Sequence, residues 1–276
     1  MSEILTIDFK SENAPKDFVK SLSSSGFAVI KNHGLDSDLI SKTYSDWKLF
    51  FESKAKHDYL FDLEKQDGYF PFKSENAQGY KTKDLKEFFH IYRWGRYPKE
   101  ISGATKKIHQ SLLDLGSKLL DYLDDYAPQN VRANFSMKLS EMINDSGQNL
   151  LRVIHYPPVK IEDTLDGSIR AEAHTDINLI TILIAEPGLQ VINSSGEWVD
   201  VELPENSIVV NIGDMLHECS AGFYKSTVHR VVNPVDTNQS RYSMPLFIHP
   251  RDEVELSPNF TAKDYLMERL KEIGLK

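Results

Sequence analysis

Residues 173–192 read AHTDINLITILIAEPGLQVI. Two apolar runs, Leu179–Ile184 and Leu189–Ile192, are parted by Glu186-Pro187-Gly188. Short apolar runs bounded by Pro and Gly read as strand, turn, strand. The pattern continues on both sides. Leu151–Tyr156, Glu197–Asp200, Ser207–Ile212, Ser226–Val232 and Tyr242–Ile248 are further candidate strands. Many short strands at regular spacing, punctuated by Gly, Pro, Asn and Asp, predict a β-sandwich or jelly roll.

Upstream of residue 150 the period changes. Pro15–Leu22 predicts a helix with proline in its first turn. Gly26–Lys31 (GFAVIK) predicts a short buried strand. In Asp36–Glu52, apolar residues at Leu39, Ile40, Tyr44, Trp47 and Phe50 share one helical face, capped by Asp36 or Ser37. Ile101–Asp125 repeats the pattern, and Val131–Ile143 predicts one more helix. Glu162–Arg170 is polar and reads as a surface loop between strands. Ala262–Lys271 is amphipathic and helical. The expectation is one domain over residues 1–276: a mostly helical region at 1–149, the strand-rich core at 150–250, and a C-terminal helix within 251–276.

Composition excludes several function classes. Lys plus Arg is 32 and Asp plus Glu is 41, a net charge of −9. Broad nucleic-acid binding needs a basic face, and docking on anionic lipid needs one too. Neither partner is expected. No run approaches 18 consecutive apolar residues, so no spanning helix is expected. The single cysteine, Cys219, rules out an internal disulfide framework and a Cys-rich zinc site. The N-terminus shows no basic-then-apolar leader pattern. A cytoplasmic protein is expected.

Nine histidines are present, and two carry the chemistry. In extended backbone, residues i and i+2 share a side, so His174 and Asp176 point together and Thr175 points away. An imidazole and a carboxylate so placed can hold a metal, although a plain His–Asp hydrogen bond on a turn has the same pattern. A third ligand decides. His229 lies in the strand-like KSTVHRVV, residues 225–232. Two His and one carboxylate bound on one face leave open positions, the arrangement of non-haem Fe(II) oxygenases. A three-ligand catalytic zinc site has the same donors. Arg241 and Ser243 are again i and i+2. A guanidinium beside a hydroxyl can grip a carboxylate. That is the anchor a chelating keto acid needs at its far end. Cys219 reads as a buried apolar thiol. The stretch Phe88, Phe89, His90, Tyr92 and Trp94 reads either as a substrate wall or as plain core. Lys81, Lys83 and Lys86 read as a solvated face.

With these residues in place, the sequence resembles an iron/2-oxoglutarate-dependent dioxygenase of the isopenicillin N synthase-like family. LRVIHYP (151–157), AHTD (173–176), GLQV (188–191), VNIGDML (210–216), KSTVHRVV (225–232) and RYS (241–243) match its C-terminal half in order. GFAVIKNHG (26–34), GYFPF (68–72) and DLKEFF (84–89) resemble its N-terminal half. The resemblance implies a mainly β fold with flanking helices, a double-stranded β-helix or distorted jelly roll. It implies that His174, Asp176 and His229 bind Fe(II), and that Arg241 and Ser243 hold the distal carboxylate of 2-oxoglutarate. Tyr156 aligns with a tyrosine that touches co-substrate or substrate. Molecular oxygen is the second co-substrate, and a small organic molecule is oxidised, by hydroxylation as the default. Plant members read Asn-Tyr-Tyr-Pro where this chain reads Ile154-His155-Tyr156-Pro157. The missing asparagine keeps open a keto-acid-independent Fe(II) oxidase resembling isopenicillin N synthase. A metal- or ligand-binding module without turnover is the other alternative.

Overall fold

The structure, a computed structural model, describes residues 4–62, 64–75, 82–164, 167–233 and 239–272. The chain begins with β1 (Thr6–Asp8), α1 (Ala14–Ser25), β2 (Phe27–Lys31) and α2 (Ser37–Glu52). Pro15 opens α1, and Gly26 ends it at φ 76, where only glycine fits well. The space there is as tight as the backbone: a Cβ on Gly26 would sit 2.3 Å from Lys225 O. Asp36 caps α2, its carboxylate accepting from Asp38 N and Leu39 N. Next come β3 (Gly68–Phe70), β4 (Glu87–Ile91), α3 (Ala104–Asp125), α4 (Gln129–Arg132), α5 (Leu139–Met142) and β5 (Leu150–Tyr156).

The second half holds β6 (Ala171–His174), β7 (Ile180–Ala185), β8 (Leu189–Ile192), β9 (Trp198–Asp200), β10 (Ser207–Ile212), α6 (Asp214–Cys219), β11 (His229–Val231) and β12 (Arg241–Ile248). β13 (Glu255–Ser257) and β14 (Phe260–Thr261) form a small hairpin before α7 (Ala262–Glu272). A large sheet runs β1-β2-β10-β7-β12-β5-β4-β3, and a smaller one runs β6-β11-β8-β9. Within these two sheets all strand pairings are antiparallel except β1 with β2.

Alternation along the strands builds two cores. Phe27, Val29, Phe88, Ile154, Tyr156 and Val209 of the large sheet pack with Ala171, Leu189, Val191 and Val231 of the small one. These residues fill the space between the sheets, as a jelly roll requires. Their chain neighbours Ala28, Ile30, Phe89, Val153 and Val210 face the other way, onto Phe18, Trp47, Phe50, Ile108, Leu112 and Leu119 of α1 to α3. The helices therefore clothe the outside of the large sheet and leave the space between the sheets for the site.

Three expectations need correction. Val131–Ile143 is not one helix. It forms the single turns α4 and α5, because Asp124 Oδ2 accepts from Leu139 N and starts a new turn there. The region before residue 150 holds more strand than expected: four of the eight described strands of the large sheet, β1 to β4, come from it. β4 is buried on both faces, so its sequence EFFHI shows no period of two. The strand predicted over Ser226–Val232 shrinks to His229–Val231. No described helix is long and apolar enough to cross a membrane.

Candidate metal centre and cavity

β6 and β11 pair antiparallel, with His174 directly opposite His229. Their rings lie 4.4 Å apart between centroids. Asp176 follows β6, and its Oδ1 is 3.9 Å from His174 Nε2 and 3.8 Å from His229 Nε2. One ligand atom from each residue falls within 4.8 Å of the others. His174 Nδ1 donates to Glu172 O at 2.7 Å, and His229 Nδ1 donates to Thr227 O at 3.2 Å. Carbonyls only accept, so both rings carry their proton on Nδ1 and turn a bare Nε2 inward. Asp176 Oδ2 accepts from Thr181 Oγ1 at 2.6 Å and Asn211 Nδ2 at 2.8 Å, leaving Oδ1 for the centre. Three acceptors and no donor converge, a donor set that fits a divalent cation with ligands on one face.

The electrostatics agree. Burial alone would raise the Asp176 carboxyl, but the His229 and His174 rings and the two hydrogen bonds hold it below its ordinary value. Burial, then the facing His229 ring, push His174 down to about 4. Its neutral, ligating form is the resting one.

Arg241, Ser243 and Tyr156 lie on the inner face of the large sheet. Arg241 is in register with Tyr156, and Ser243 with Ile154. All three are almost fully buried. Arg241 Nε and Nη2 donate to Glu186 O and Pro187 O, while its Nη1 is buried without a partner among the described residues. Its guanidinium carbon lies 4.9 Å from the Tyr156 ring centre. Gly188, next to β8, marks the depth: a Cβ there would be 3.9 Å from Arg241 Nε and 4.0 Å from Val231 Cγ1. Val231 is two residues along β11 from His229, about 7 Å at strand rise. The orphaned guanidinium thus sits one side-chain step deeper than the converging residues.

A cavity of about 590 Å³ opens on the other side of the centre, with His174 and Asp176 in its wall. Arg241, Ser243 and Tyr156 are outside its lining. One wall is charged: Glu75, Lys86, His90 and Arg152. Lys86 Nζ is 2.9 Å from Glu75 Oε2 and 2.7 Å from Asp84 Oδ2. Arg152 Nε donates to His90 Nε2 at 2.9 Å, and its guanidinium lies between the Phe88 and Phe247 rings. The opposite wall is α7, which presents Leu266, Met267 and Leu270. Arg269 ties that helix down through Asp214, at 3.1 Å. Asp214 also accepts from Thr175, between two of the three convergent residues, and from Ser226.

The three residues singled out by sequence spacing do converge, and Arg241 and Ser243 do share one buried face. Lys86 is a correction, because it is buried in an ion-pair cluster and lines the cavity instead of a solvated face. Lys83 is exposed, and Lys81 lies outside the described residues. Leu165 and Asp166 of the predicted surface loop also lie outside them, but Arg170 at its end is buried. His155 points away from the cavity, onto Glu87 and the Tyr242 ring. The aromatic stretch divides by alternation: His90, Tyr92 and Trp94 line the cavity, while Phe89 packs under the helices. Cys219 is buried in α6 and its thiol is pushed up by burial, as an inert core thiol should be. The roles of Thr181 and Asn211 escaped sequence reading, because a polar residue inside a strand does not show which side chain it will hold.

Residues 147–250 match the 2OG-Fe(II) oxygenase superfamily, and residues 5–111 match the N-terminal region described as non-haem dioxygenase in morphine synthesis. A protein of Shewanella oneidensis described as an oxygenase superposes with a TM-score of 0.90 at 43% identity, over 99% of this chain and 100% of that one. A full-length Neurospora crassa protein, solved in complex with alpha-KG and thymine, superposes with a TM-score of 0.80 at 25% identity, over 97% and 96%. Among curated proteins, the flavonol synthase/flavanone 3-hydroxylase of Arabidopsis thaliana is 27% identical over 96% of this chain and 84% of its own length.

Proposed function

The chain belongs to the 2OG-Fe(II) oxygenase superfamily, and from that premise we propose that it hydroxylates a small organic molecule held in the cavity beside His174 and Asp176. It is a dioxygenase whose metal is Fe(II) and whose co-substrates are 2-oxoglutarate and molecular oxygen. In this reading His174, Asp176 and His229 hold the iron, Arg241 and Ser243 hold the distal carboxylate of 2-oxoglutarate, and Tyr156 lies alongside it. When bound, the iron supplies oxidation of a substrate C–H bond, coupled to conversion of 2-oxoglutarate and O2 into succinate and CO2.

The chain's own residues do the rest. Glu172 O and Thr227 O hold the two imidazoles in the ligating tautomer. Thr181 and Asn211 aim one carboxylate oxygen of Asp176 at the centre. Arg241 keeps its Nη1 without a partner among the described residues in a buried pocket, where a charge-assisted bond is strongest. Leu266, Met267 and Leu270 give the cavity an apolar wall, and Arg152 and Lys86 orient a polar group of the substrate. The Neurospora crassa relative holds thymine, and about 590 Å³ has room for an organic molecule of that size or considerably larger. One oxygenase unit over residues 1–276, acting in the cytoplasm with no nucleic-acid or membrane partner, completes the proposal. The acidic balance and the single buried cysteine support it.

The observation that carries the reading is the pairing of three converging acceptors with an orphaned, buried guanidinium one step deeper. Anaerobic titration of the Fe(II)-loaded protein with 2-oxoglutarate tests it. A bidentate keto acid on Fe(II) gives a visible charge-transfer band. The band should appear in the wild type and fade in Arg241→Ala at equal concentration. Fe(II) binding without a band would turn the assignment toward a keto-acid-independent oxidase.

A further inference from the structure

Arg170 stands one residue before β6 and is 3% exposed. Its Nη2 donates to Gln239 O at 3.0 Å. Its Nε is buried and has no acceptor among the described residues. Its guanidinium carbon is 5.7 Å from the Tyr156 ring centre, the ring that Arg241 approaches to 4.9 Å. Two guanidiniums thus share one aromatic ring, and each keeps a buried N–H without an acceptor. Among the described residues neither forms an ion pair with a carboxylate. Two like charges out of water, with Glu186 acting on them only from beyond ion-pair distance, are unfavourable, so the arrangement calls for an anion between the sheets. The remaining lining adds little: Ile154, in register with Ser243, offers no donor.

We propose that Arg170 is a second co-substrate-binding residue, which joins Arg241 in holding the distal carboxylate of the keto acid. The inference rests on the assignment of Arg241 and Ser243 to that carboxylate. It supplies the donor that the apolar Ile154 does not. It also gives the pocket a selection rule. A 2-keto acid that ends in a methyl group leaves two buried cations without a close counter-charge, so the pocket discriminates in favour of dicarboxylates.

The test is anaerobic titration of the Fe(II)-loaded wild type, R170Q, R170K and R241Q with two ligands. One is 2-oxoglutarate. The other is 2-oxopentanoate, which has the same chain length and a methyl group in place of the distal carboxylate. Dissociation constants come from the visible band, not from turnover. Loss of a charge-assisted hydrogen bond predicts about tenfold or weaker 2-oxoglutarate binding in R170Q, with 2-oxopentanoate changed by less than about twofold. R170K should recover part of the loss, and Fe(II) affinity should not move. Unchanged 2-oxoglutarate binding in R170Q, or equal weakening of both ligands, overturns the proposal. Should R170Q fail to fold, R170K decides on the same ratio of the two ligands. If R241Q loses 2-oxoglutarate and R170Q does not, only this inference falls. If R241Q binds 2-oxoglutarate like the wild type, the underlying assignment falls with it.

Discussion

The Thr181 hydroxyl donates to Asp176 Oδ2 at 2.6 Å, so a residue on β7 sets the orientation of a carboxylate that follows β6. Asn211 of β10 holds the same oxygen from a second side. Partners of this kind set metal affinity by fixing the ligand's rotamer. T181V and N211A should each weaken Fe(II) binding by roughly tenfold to a hundredfold with the fold intact. Metal titration beside circular dichroism checks this, and unchanged affinity in both variants would remove them from the site.

The cluster of Lys86, Glu75 and Asp84 is a buried ion-pair network in the cavity wall. Removing its cation leaves the almost fully buried Asp84 without a cationic partner, while Glu75 keeps Arg152 at 3.5 Å. K86M should therefore cost about 3 kcal/mol or more in a denaturant titration. A loss under about 1 kcal/mol would show that water already screens the pair.

R152Q should raise the KM for the organic substrate, while 2-oxoglutarate consumption in its absence stays at the wild-type level. Arg152 faces the cavity, whereas Arg241 lies outside its lining. Equal loss of both activities would place Arg152 in support of the whole sheet rather than of the substrate.

His109 of α3 is 5% exposed. Burial first, then the nearby Arg93 charge, push it down to about 4. In the unfolded chain it returns to about 6.5. Between those values the unfolded state binds a proton that the folded state refuses. Stability is therefore complete above about pH 6.5 and declines as pH falls toward 4, by up to about 3 kcal/mol from this group. The melting temperature of H109L should fall less steeply over that range than that of the wild type. Parallel curves would contradict the assignment.

Gly213 joins β10 to α6 with no room for a side chain. A Cβ there would lie 2.1 Å from Asn178 O, which is backbone and cannot swing aside. Asn178 in turn donates to Thr181 Oγ1 at 3.1 Å. G213A should destabilise by about 1–3 kcal/mol and loosen the metal centre with it. G103A, where nothing lies within 4 Å, is the control and should stay within about 0.5 kcal/mol.

The converging residues were legible because their spacing is local. His174 and Asp176 share a side in any extended chain, and so do Arg241 and Ser243. His229 needed one more step, and the RYS motif supplied the context. Strands with a solvent-facing side were legible for the same reason. β4 was not, because burial on both faces removes alternation. The turns at α4 and α5 were not, because a distant carboxylate, Asp124, decides where the second begins.

What the sequence determined by itself is therefore the short-range part: the strand-rich second half, the helical face of α2, the His174–Asp176 pair and the Arg–Ser pair. Each depends on periodicity or on neighbours within a few residues. What only the tertiary structure decided is which distant residues meet. Lys86 reads as solvated until Glu75 and Asp84 close over it. Arg170 reads as part of a polar loop until the pairing of β6 with β11 and of β5 with β12 brings it and Arg241 to one Tyr156 ring. A charged side chain looks the same in sequence whether water or a pocket surrounds it. Burial is a property of the packed sheets, and no single stretch of sequence displays it.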